Sequence, residues 1–550
     1  MSKKILKNNN DAVMLITAAG SINSACNYNL SKKDPALLNI GTTLAVEEIK
    51  KKTNLKIILS VKKNINLLKI KPFKDIKIIE VGNTKSISET IQKSLEIIDC
   101  EKCLINPITS IPSQNEISDS FIEVGLKPIP KENWSSITFE EKNKIKFHSK
   151  LEKDSNGLIS HPLTGRIFAN KKDILLAIES LDDYEMNDLI NIAKKLYFQT
   201  KIKIEFTKWL DIGHIATYPL TRVSAISSRF FNDLTYNKER NIIKKKSFKK
   251  SKIEEEINYY KSIPDDIKRY FPMILNIERN NYEISYEMDF ICKPTLSEIY
   301  LFSEIGPNAI IRIFESIKRI LKTFYSKKCL RVENAKWLYS EKAEKRQAEL
   351  ENLFNKKKYE TLKRIYDNDF YLNEFKFPSL SKSFSLLKKE LRGFEKQRPM
   401  HLGHGDLCFN NILVEPIYGE INLIDPRAHK HKILDEFGLI DNIYDLAKLN
   451  HSIEGLYDSV VNNLYMLKIQ ELNKIDFRVF KPHEYEIFNT CFKEIILSEE
   501  VHKTKHLRIL TGNLFLTMIP LHQENLERMI ALSLIGSIFL NDYKINKFLL

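Results

Sequence analysis

The sequence predicts an α/β protein made of at least two modules, on the basis of three observations. The chain has 550 residues, more than one compact core normally holds. Its first hundred residues alternate short apolar strands with helical stretches, a pattern typical of a parallel α/β sheet. After residue 430 nearly every segment has the spacing of an amphipathic helix. We therefore expect an α/β module first and a mixed, then mostly helical module after it.

The amino-terminal module is predicted from a series of strands and helices. The strands are apolar and rich in β-branched residues, and the helices show helical spacing of their apolar positions. The segment 199–260 changes character, so we place a domain boundary near 216–220, where Pro219 follows the strand and turn WLDIGH, and the first module covers 1–215. The predicted strands are 12–20, 55–61, 76–81 and 103–108, and the predicted helices are 43–53 and 87–98.

Charge and composition narrow the classes of function. The formal net charge is +15, but Lys and Arg are spread along the chain among Asp and Glu. A basic surface that suits anionic substrates is therefore favoured over nucleic-acid binding. The chain opens without an apolar signal segment, and the apolar stretch 529–540 is too short to span a bilayer. With seven cysteines and no disulfide framework, we expect a cytoplasmic protein with no membrane span and no nucleic-acid partner.

The strongest chemical signal is the segment 401–427, HLGHGDLCFNNILVEPIYGEINLIDPR. Asp406 lies in a turn, Asn411 follows five residues later, and a second apolar strand leads to Asp425. Phosphoryl transfer needs a carboxylate to orient the acceptor hydroxyl and take its proton. It also needs Mg²⁺ held by hard oxygen ligands. Two strands joined by a turn near Gly419 would bring Asn411 and Asp425 to one metal site.

This segment resembles the aminoglycoside phosphotransferase and choline kinase superfamily, which shares the bilobal protein-kinase fold. The resemblance implies that Asp406 is the catalytic base, that Asn411 and Asp425 are Mg²⁺ ligands, and that ATP is the phosphoryl donor. Asp425 is followed by Pro-Arg where protein kinases have Phe-Gly. Asp435 and Asp445, in the helical region that follows, are expected to pair with the catalytic loop rather than to take part in the chemistry.

The kinase resemblance also implies a strand lysine and a helix glutamate in residues 216–300, the expected amino lobe. RNIIKKKS supplies a strand that ends in three lysines. We select Lys244 for the phosphate contact, although Lys244 and Lys246 share one strand face while Lys245 lies on the other, so the register stays open. Glu256, on the charged helix KIEEEINYY, is the expected partner of the lysine.

The remaining nucleotide contacts are expected on a hinge and a phosphate-covering turn. YEISYEMDFI reads as a strand that leads into a hinge, with Glu287 and Met288 close to the adenine. The phosphate-covering turn should lie in VSAISSRFF, where Ser227 and Ser228 replace the usual glycines. Residues 301–550, including 401–427, would form the helical carboxyl lobe.

The amino-terminal half resembles sugar-nucleotide nucleotidyltransferases, which have a Rossmann-like fold of the GT-A type. The resemblance rests on MLITAAG at the start of the chain and on WLDIGHIATYPLTR, where Asp211 matches a metal ligand. Three positions depart from the family. The turn after Gly20 lacks the usual glycine and arginine, Asp34 stands where a lysine usually precedes the proline, and the third departure is the most telling. Asn106-Pro107 stands where the family has a strand-end aspartate that holds the catalytic metal. A degenerate binding or scaffolding domain is therefore favoured over an active nucleotidyltransferase, and both stay open.

Together these features predict an ATP- and Mg²⁺-dependent kinase that phosphorylates a hydroxyl of a sugar, polyol or amino alcohol. Chains that pair the two modules resemble bacterial capsule and lipopolysaccharide assembly proteins. Two alternatives are a bifunctional kinase and nucleotidyltransferase that makes an activated precursor, and a non-catalytic nucleotide-binding regulator. The intact set Asp406, Asn411 and Asp425 argues against the regulator.

Overall fold

The computed structural model describes residues 12–20, 34–63, 69–113, 119–126, 134–140, 144–149, 160–214, 221, 233–237, 239–247, 250–327, 329–427, 438–470, 473–497 and 504–550. The chain divides into two compact units, unit 1 (Met1–Ala225) and unit 2 (Ile226–Leu550). The predicted end of the first module at residue 215 and the division of the second module at 300–301 remain predictions.

The secondary structure of unit 1 contains thirteen strands and four α-helices among the described residues. The strands are β1 (Ala12–Ala18), β2 (Asn39–Ile40), β3 (Thr43–Leu44), β4 (Lys56–Val61), β5 (Lys77–Glu80), β6 (Lys102–Pro107), β7 (Ser110–Pro112), β8 (Phe121–Gly125), β9 (Ser136–Glu140), β10 (Lys144–His148), β11 (Ser160–Asn170), β12 (Lys203–Thr207) and β13 (Trp209–Asp211). The helices are α1 (Ala45–Lys50), α2 (Ile87–Ile97), α3 (Lys171–Glu179) and α4 (Leu189–Thr200).

Unit 1 is organised around one nine-stranded sheet. Strands β6, β1, β4 and β5 lie side by side and parallel, which confirms the parallel sheet predicted for the first hundred residues. The strands β8 to β11 extend it as a mixed sheet, because β11 runs antiparallel to β6, β8 and β9. Only residues 141–143 separate β9 from β10, too few for the crossover that a parallel pair needs.

Burial and helix capping account for strand β1 and helix α2 of unit 1. Strand β1 is buried along almost its whole length, as a central strand covered on both faces should be. Helix α2 begins at Ser86, whose side chain accepts the N–H of Glu89 at 3.1 Å. Its apolar positions Ile91 and Leu95 are fully buried in the core of the unit.

Unit 2 contains thirteen further strands and twelve α-helices among the described residues. The strands are β14 (Asp233–Asn237), β15 (Ile242–Ser247), β16 (Ile274–Arg279), β17 (Ile284–Asp289), β18 (Cys329–Asn334), β19 (Phe370–Leu372), β20 (Phe375–Phe377), β21 (Lys396–Leu402), β22 (Ile412–Glu415), β23 (Glu420–Leu423), β24 (Leu439–Ile440), β25 (Tyr465–Ile469) and β26 (Lys474–Val479). The helices are α5 (Lys250–Ser262), α6 (Asp265–Lys268), α7 (Leu296–Phe302), α8 (Pro307–Ser326), α9 (Ser340–Leu353), α10 (Glu360–Asp367), α11 (Leu380–Phe394), α12 (Asn442–Ile453), α13 (Tyr457–Val461), α14 (Tyr485–Cys491), α15 (Thr504–Met518) and α16 (Leu526–Leu540).

Unit 2 begins with an antiparallel sheet and continues as a mostly helical body. The sheet has the order β14–β15–β17–β16, and α5 follows β15 in the chain. The helical body carries the two-stranded antiparallel hairpin of β22 and β23, which the sequence predicted. Helix α16 is buried on all sides, as expected for its continuous apolar sequence. Among the described residues, no helix combines the length and apolarity needed to cross a bilayer.

Candidate active site

The loop that carries Asp406 is fixed by two glycines and a buried carboxylate. Gly405 has a φ of +75°, and a Cβ at Gly403 would lie 2.7 Å from Asp445 Oδ2, so neither position tolerates a side chain. Asp445, on α12, is fully buried and accepts N–H bonds of 2.8 Å from His404 and Gly405. Burial raises the pKa of Asp445 to about 7, and the two N–H bonds oppose that rise. Asp445 thus makes the contact with the loop that the sequence predicted.

His404 connects this loop to the segment that leads to Asp425. Its Nδ1 accepts the N–H of Asp406 at 3.2 Å, and its Nε2 donates to the carbonyl of Ile424 at 3.1 Å. Burial lowers the pKa of His404 to about 4, so the neutral ring can accept at one nitrogen and donate from the other. The N–H of Arg427 donates to the His404 carbonyl at 2.8 Å. The two segments that carry the predicted aspartates are therefore joined through one histidine.

Asp406 lies between two cations. Lys448 Nζ is 2.9 Å from its Oδ1, and Arg427 Nε is 3.4 Å from its Oδ2. Burial by itself would raise the pKa of Asp406, but Lys448 and then Arg427 outweigh it and hold the pKa of this carboxyl well below its usual range. Asp406 is therefore ionised at neutral pH, which is the state that a general base requires.

Asn411 and Asp425 lie on adjacent segments beside this loop. Asn411 ends the 3-10 turn Phe409–Asn411, and its backbone carbonyl accepts the N–H of Ile424 at 3.0 Å. Its Nδ2 donates to the Asp406 carbonyl at 2.8 Å, so its Oδ1 is the atom left to bind a ligand. Asp425 has a φ of +58°, a backbone conformation that is uncommon outside glycine and that recurs at functional sites.

The donor set of Asn411 and Asp425 fits Mg²⁺. Burial would raise the pKa of Asp425, but Lys245 and then Arg427 outweigh it and lower the value to about 2, so the carboxylate is charged. The described residues contain no group of three or more His, Cys, Asp or Glu side chains placed to hold a metal. One carboxylate and one amide oxygen are what Mg²⁺ takes from a protein when substrate phosphates supply the other ligands.

The lysine that meets Glu256 is Lys245. Its Nζ lies 2.8 Å from Glu256 Oε2 and 2.5 Å from Asp425 Oδ1, and Tyr286 donates its hydroxyl hydrogen to Glu256 Oε1 at 2.5 Å. Lys245 and Glu256 are both almost fully buried. Burial would lower the pKa of Lys245, but Glu256 and Asp425 together raise it, so the amine is charged. The contacts of Lys245 therefore link the antiparallel sheet of unit 2 to the loop that carries Asp425.

Lys244, selected from the sequence for the phosphate contact, does not meet Glu256. Lys244 Nζ pairs instead with Glu278 at 2.6 Å on the exposed side of the sheet. The reason is the alternation of the strand, because Lys244 and Lys245 point to opposite faces. Only the face of Lys245 is turned toward α5, on which Glu256 lies. Glu256 pairs with Lys245, and its role in nucleotide binding remains a prediction.

The structure describes only some of the remaining residues that were predicted to contact the nucleotide. Glu287, on β17, pairs with Arg240 at 3.1 Å, and Met288 is buried in the core of unit 2. A hinge role for these two residues remains a prediction. Ser227, Ser228 and Asp435 lie outside the described residues.

Sequence reasoning missed two residues that contact Asp406. Arg427 was noted only as part of Pro-Arg after Asp425, and Lys448 was not singled out. The sequence does contain a signal for Lys448. In DLAKL a lysine interrupts a short apolar run three residues after Asp445, and a lysine is almost never buried without a partner.

Unit 1 brings its two predicted metal positions close together, but with only one carboxylate. Asn106, in β6, is fully buried, and its Nδ2 donates to the Ser110 carbonyl at 3.0 Å. Ser110 pairs with Asp211 across β7 and β13. Asp211 Oδ2 accepts the N–H of His214 at 3.0 Å. This site therefore offers one charged oxygen ligand group and one neutral amide.

No protein-family model and no curated protein matches the sequence. Among solved structures, a putative glucose-1-phosphate thymidylyltransferase from Bacillus anthracis is 13% identical, with a TM-score of 0.32 over 40% of this chain and 97% of that one. A thermostable mutant of an aminoglycoside phosphotransferase is 11% identical, with a TM-score of 0.37 over 58% of this chain and 93% of that one. A UTP-bound UGPase from Acinetobacter baumannii is 9% identical, with a TM-score of 0.31 over 39% of this chain and 93% of that one.

The strand orders and contacts of the two units define the fold class. The unit 1 sheet is parallel at its centre and mixed toward one edge, as in an α/β fold. Unit 2 combines an antiparallel sheet, which carries the buried Lys245–Glu256 pair, with a helical body. The fold class predicted from the sequence is confirmed.

Proposed function

We propose that unit 2 is an ATP- and Mg²⁺-dependent kinase that phosphorylates a hydroxyl group of a small molecule. The observation that carries the proposal is the contact of Lys245 with both Glu256 and Asp425. It joins a strand lysine, a helix glutamate and the aspartate of the predicted metal pair, three groups that protein kinases use together. Asp406, which is ionised and lies on the adjoining loop, is the proposed general base.

In the proposed reaction the acceptor hydroxyl oxygen forms a bond to the γ-phosphorus of ATP. The bond from that phosphorus to the bridging oxygen breaks, and ADP leaves with the electron pair. Asp406 orients the hydroxyl and takes its proton. Lys245 contacts the phosphates of ATP, and Glu256 positions Lys245 from the buried side. His404 keeps the loop of Asp406 in register with the segment of Asp425.

Asn411 and Asp425 are the residues that would hold Mg²⁺. When bound, the ion neutralises the negative charge of the phosphate oxygens. Without the nucleotide and the ion, Lys245 pairs with Asp425 and keeps its charge compensated. Binding of the nucleotide therefore requires Lys245 to be shared between Glu256 and the phosphates.

The proposal is tested with Asp406→Asn in the full chain. The substitution keeps the shape of the side chain but removes the base, so phosphoryl transfer should fall by about a hundredfold or more. Affinity for Mg·ATP, measured by calorimetry, should stay within about twofold, because Asp406 is not among the proposed Mg²⁺ ligands. Asp265→Asn, on the exposed helix α6, is the matched control. Near-normal turnover by Asp406→Asn would refute the proposal that Asp406 is the general base.

For unit 1 we propose a binding role without nucleotidyl transfer. Asn106 supplies a neutral amide where a metal-binding carboxylate is needed, and Asp211 is the one carboxylate that the two positions provide. Cell-surface polysaccharide assembly, as the setting of the kinase reaction, rests on the sequence resemblance alone.

A further inference from the structure

The side of the active site beyond Asp406 is rich in positive charge. Lys448 and Arg427 both lie within ion-pair distance of the Asp406 carboxylate, and Arg427 is shared with Asp425 at 3.6 Å. Lys448 is only 12% exposed, so its ammonium is largely removed from bulk water. Arg427, at 37% exposure, borders the site. A partly buried cation that exceeds the local negative charge favours an anionic ligand.

A third cation extends this region. Lys342, on α9, lies 2.6 Å from the hydroxyl oxygen of Tyr444, which is buried on α12. Tyr444 and Lys448 are four residues apart on that helix, so their side chains lie on one face. Burial would raise the pKa of Tyr444, but Lys342 and then Lys448 outweigh it and lower the value. The positive charges of both lysines therefore stabilise the ionised form of the same Tyr444 phenol, so Lys342 lies next to Lys448.

Two carboxylates on the same helix as Lys342 are engaged elsewhere. On α9, Glu344 pairs with Arg392 at 3.2 Å and Glu349 pairs with Arg346 at 2.5 Å. Within the described part of the chain, Lys342 has no carboxylate partner. Among the described residues, Lys448, Arg427 and Lys245 are matched by the carboxylates of Asp406, Asp425 and Glu256, and Lys342 adds one positive charge beyond them.

We propose that the acceptor is an anionic molecule, in which a carboxylate or phosphate group held by Lys342, Lys448 and Arg427 presents a hydroxyl to Asp406. The inference rests on the proposed kinase function and narrows its acceptor class. Sugars and polyols that carry an acidic group fit this region. Amino alcohols do not, because their ammonium group would meet three like charges.

The test compares matched acceptors that differ in charge, using the full chain with ATP and Mg²⁺. One series is glucose, glucuronate, glucose 6-phosphate and glucosamine, and the other is glycerol, glycerate, glycerol 3-phosphate and ethanolamine. Binding is measured by calorimetry and transfer by the phosphorylated product. The anionic members should bind about tenfold or more tightly than their neutral counterparts. The carboxylate and phosphate members show which group is preferred.

Lys342→Met supplies the matched perturbation, with Lys345→Met on the same exposed helix as its control. Lys342→Met should weaken binding of the preferred anionic acceptor by about tenfold, and Lys345→Met should leave it within about twofold. Equal or tighter binding of neutral or cationic members, or no binding of any anionic member, overturns the inference. Lys342-dependent anion binding without phosphoryl transfer to any acceptor would instead remove the kinase function and leave the anion site standing.

Discussion

Replacing Lys245 with methionine tests the residue on which the nucleotide side of the site depends. The change removes an ammonium that lies 2.8 Å from Glu256 and 2.5 Å from Asp425, while a side chain of similar length keeps the apolar packing. Lys244→Met is a matched control on the same strand. Lys244 is half exposed, and its ion pair with Glu278 is on the surface.

The size of each effect follows from burial. Removing one partner of a buried ion pair costs about 3–5 kcal/mol, because the other charge is left uncompensated. Losing the phosphate contact should lower kcat/KM by about a hundredfold to a thousandfold. An exposed ion pair contributes about 0–1 kcal/mol, so Lys244→Met should change both quantities little. Lys245→Met is therefore expected to lose stability as well as activity.

The assay combines urea unfolding with ATP turnover and calorimetry of Mg·ATP binding. Because Lys245→Met leaves two carboxylates without their cation, Glu256→Gln is measured beside it. The glutamine retains hydrogen bonding to Lys245 and Tyr286 but removes one charge, so folding is less perturbed. Loss of activity in a folded Glu256→Gln would support the positioning role. Wild-type turnover in Lys245→Met, or an equal loss in Lys244→Met, would refute the reasoning.

Three further predictions concern the metal ligand, the base and unit 1. Asp425→Ala should abolish Mg²⁺-dependent ATP binding in calorimetry, because it removes the anionic ligand. Lys448→Met should move the acid limb of the kcat–pH profile to higher pH by about one to three units. Lys448 lowers the pKa of Asp406, so its loss leaves more of the base protonated as the pH falls. The full chain should release no pyrophosphate from any NTP with sugar phosphates, because Asn106 replaces a carboxylate.

Each of these predictions has a control and a contrary outcome. Unchanged Mg·ATP affinity in Asp425→Ala would exclude its role as a ligand. Lys448→Arg keeps the cation and should keep the acid limb near its original pH, whereas an unmoved limb in Lys448→Met would mean that Arg427 alone sets the pKa of Asp406. Pyrophosphate release that disappears in Asp211→Ala would show that unit 1 is an active nucleotidyltransferase.

Local patterns allowed much of the fold to be predicted. The strands predicted at 55–61 and 76–81 appear as Lys56–Val61 and Lys77–Glu80, and the helix predicted at 87–98 appears as Ile87–Ile97. Strand β4 is a continuous apolar run that is buried on both faces, and in α2 the apolar spacing coincides with the buried face. The hairpin of 412–423 was equally readable, because its apolar strands flank a turn at Gly419, whose φ is +72°.

The lysine register could not be predicted in this way. IIKKKS contains three successive lysines, so apolar alternation does not distinguish the two faces of β15. Which face is buried depends on α5 and on Asp425, and Asp425 lies 180 residues from Lys245 in the chain. The choice between Lys244 and Lys245 therefore needed the packing of the folded unit.

The proposed acceptor region could not be predicted from the sequence for the same reason. Lys342 and Tyr444 are 102 residues apart, and no local motif connects them. Helix α12 carries Asp445, which fixes the backbone of the Asp406 loop, and also Lys448, which contacts the Asp406 carboxylate. The same helix therefore sets the position and the charge of the base. An acceptor anion that binds Lys448 is held by the element that places Asp406, so binding and alignment of the hydroxyl depend on one rigid support.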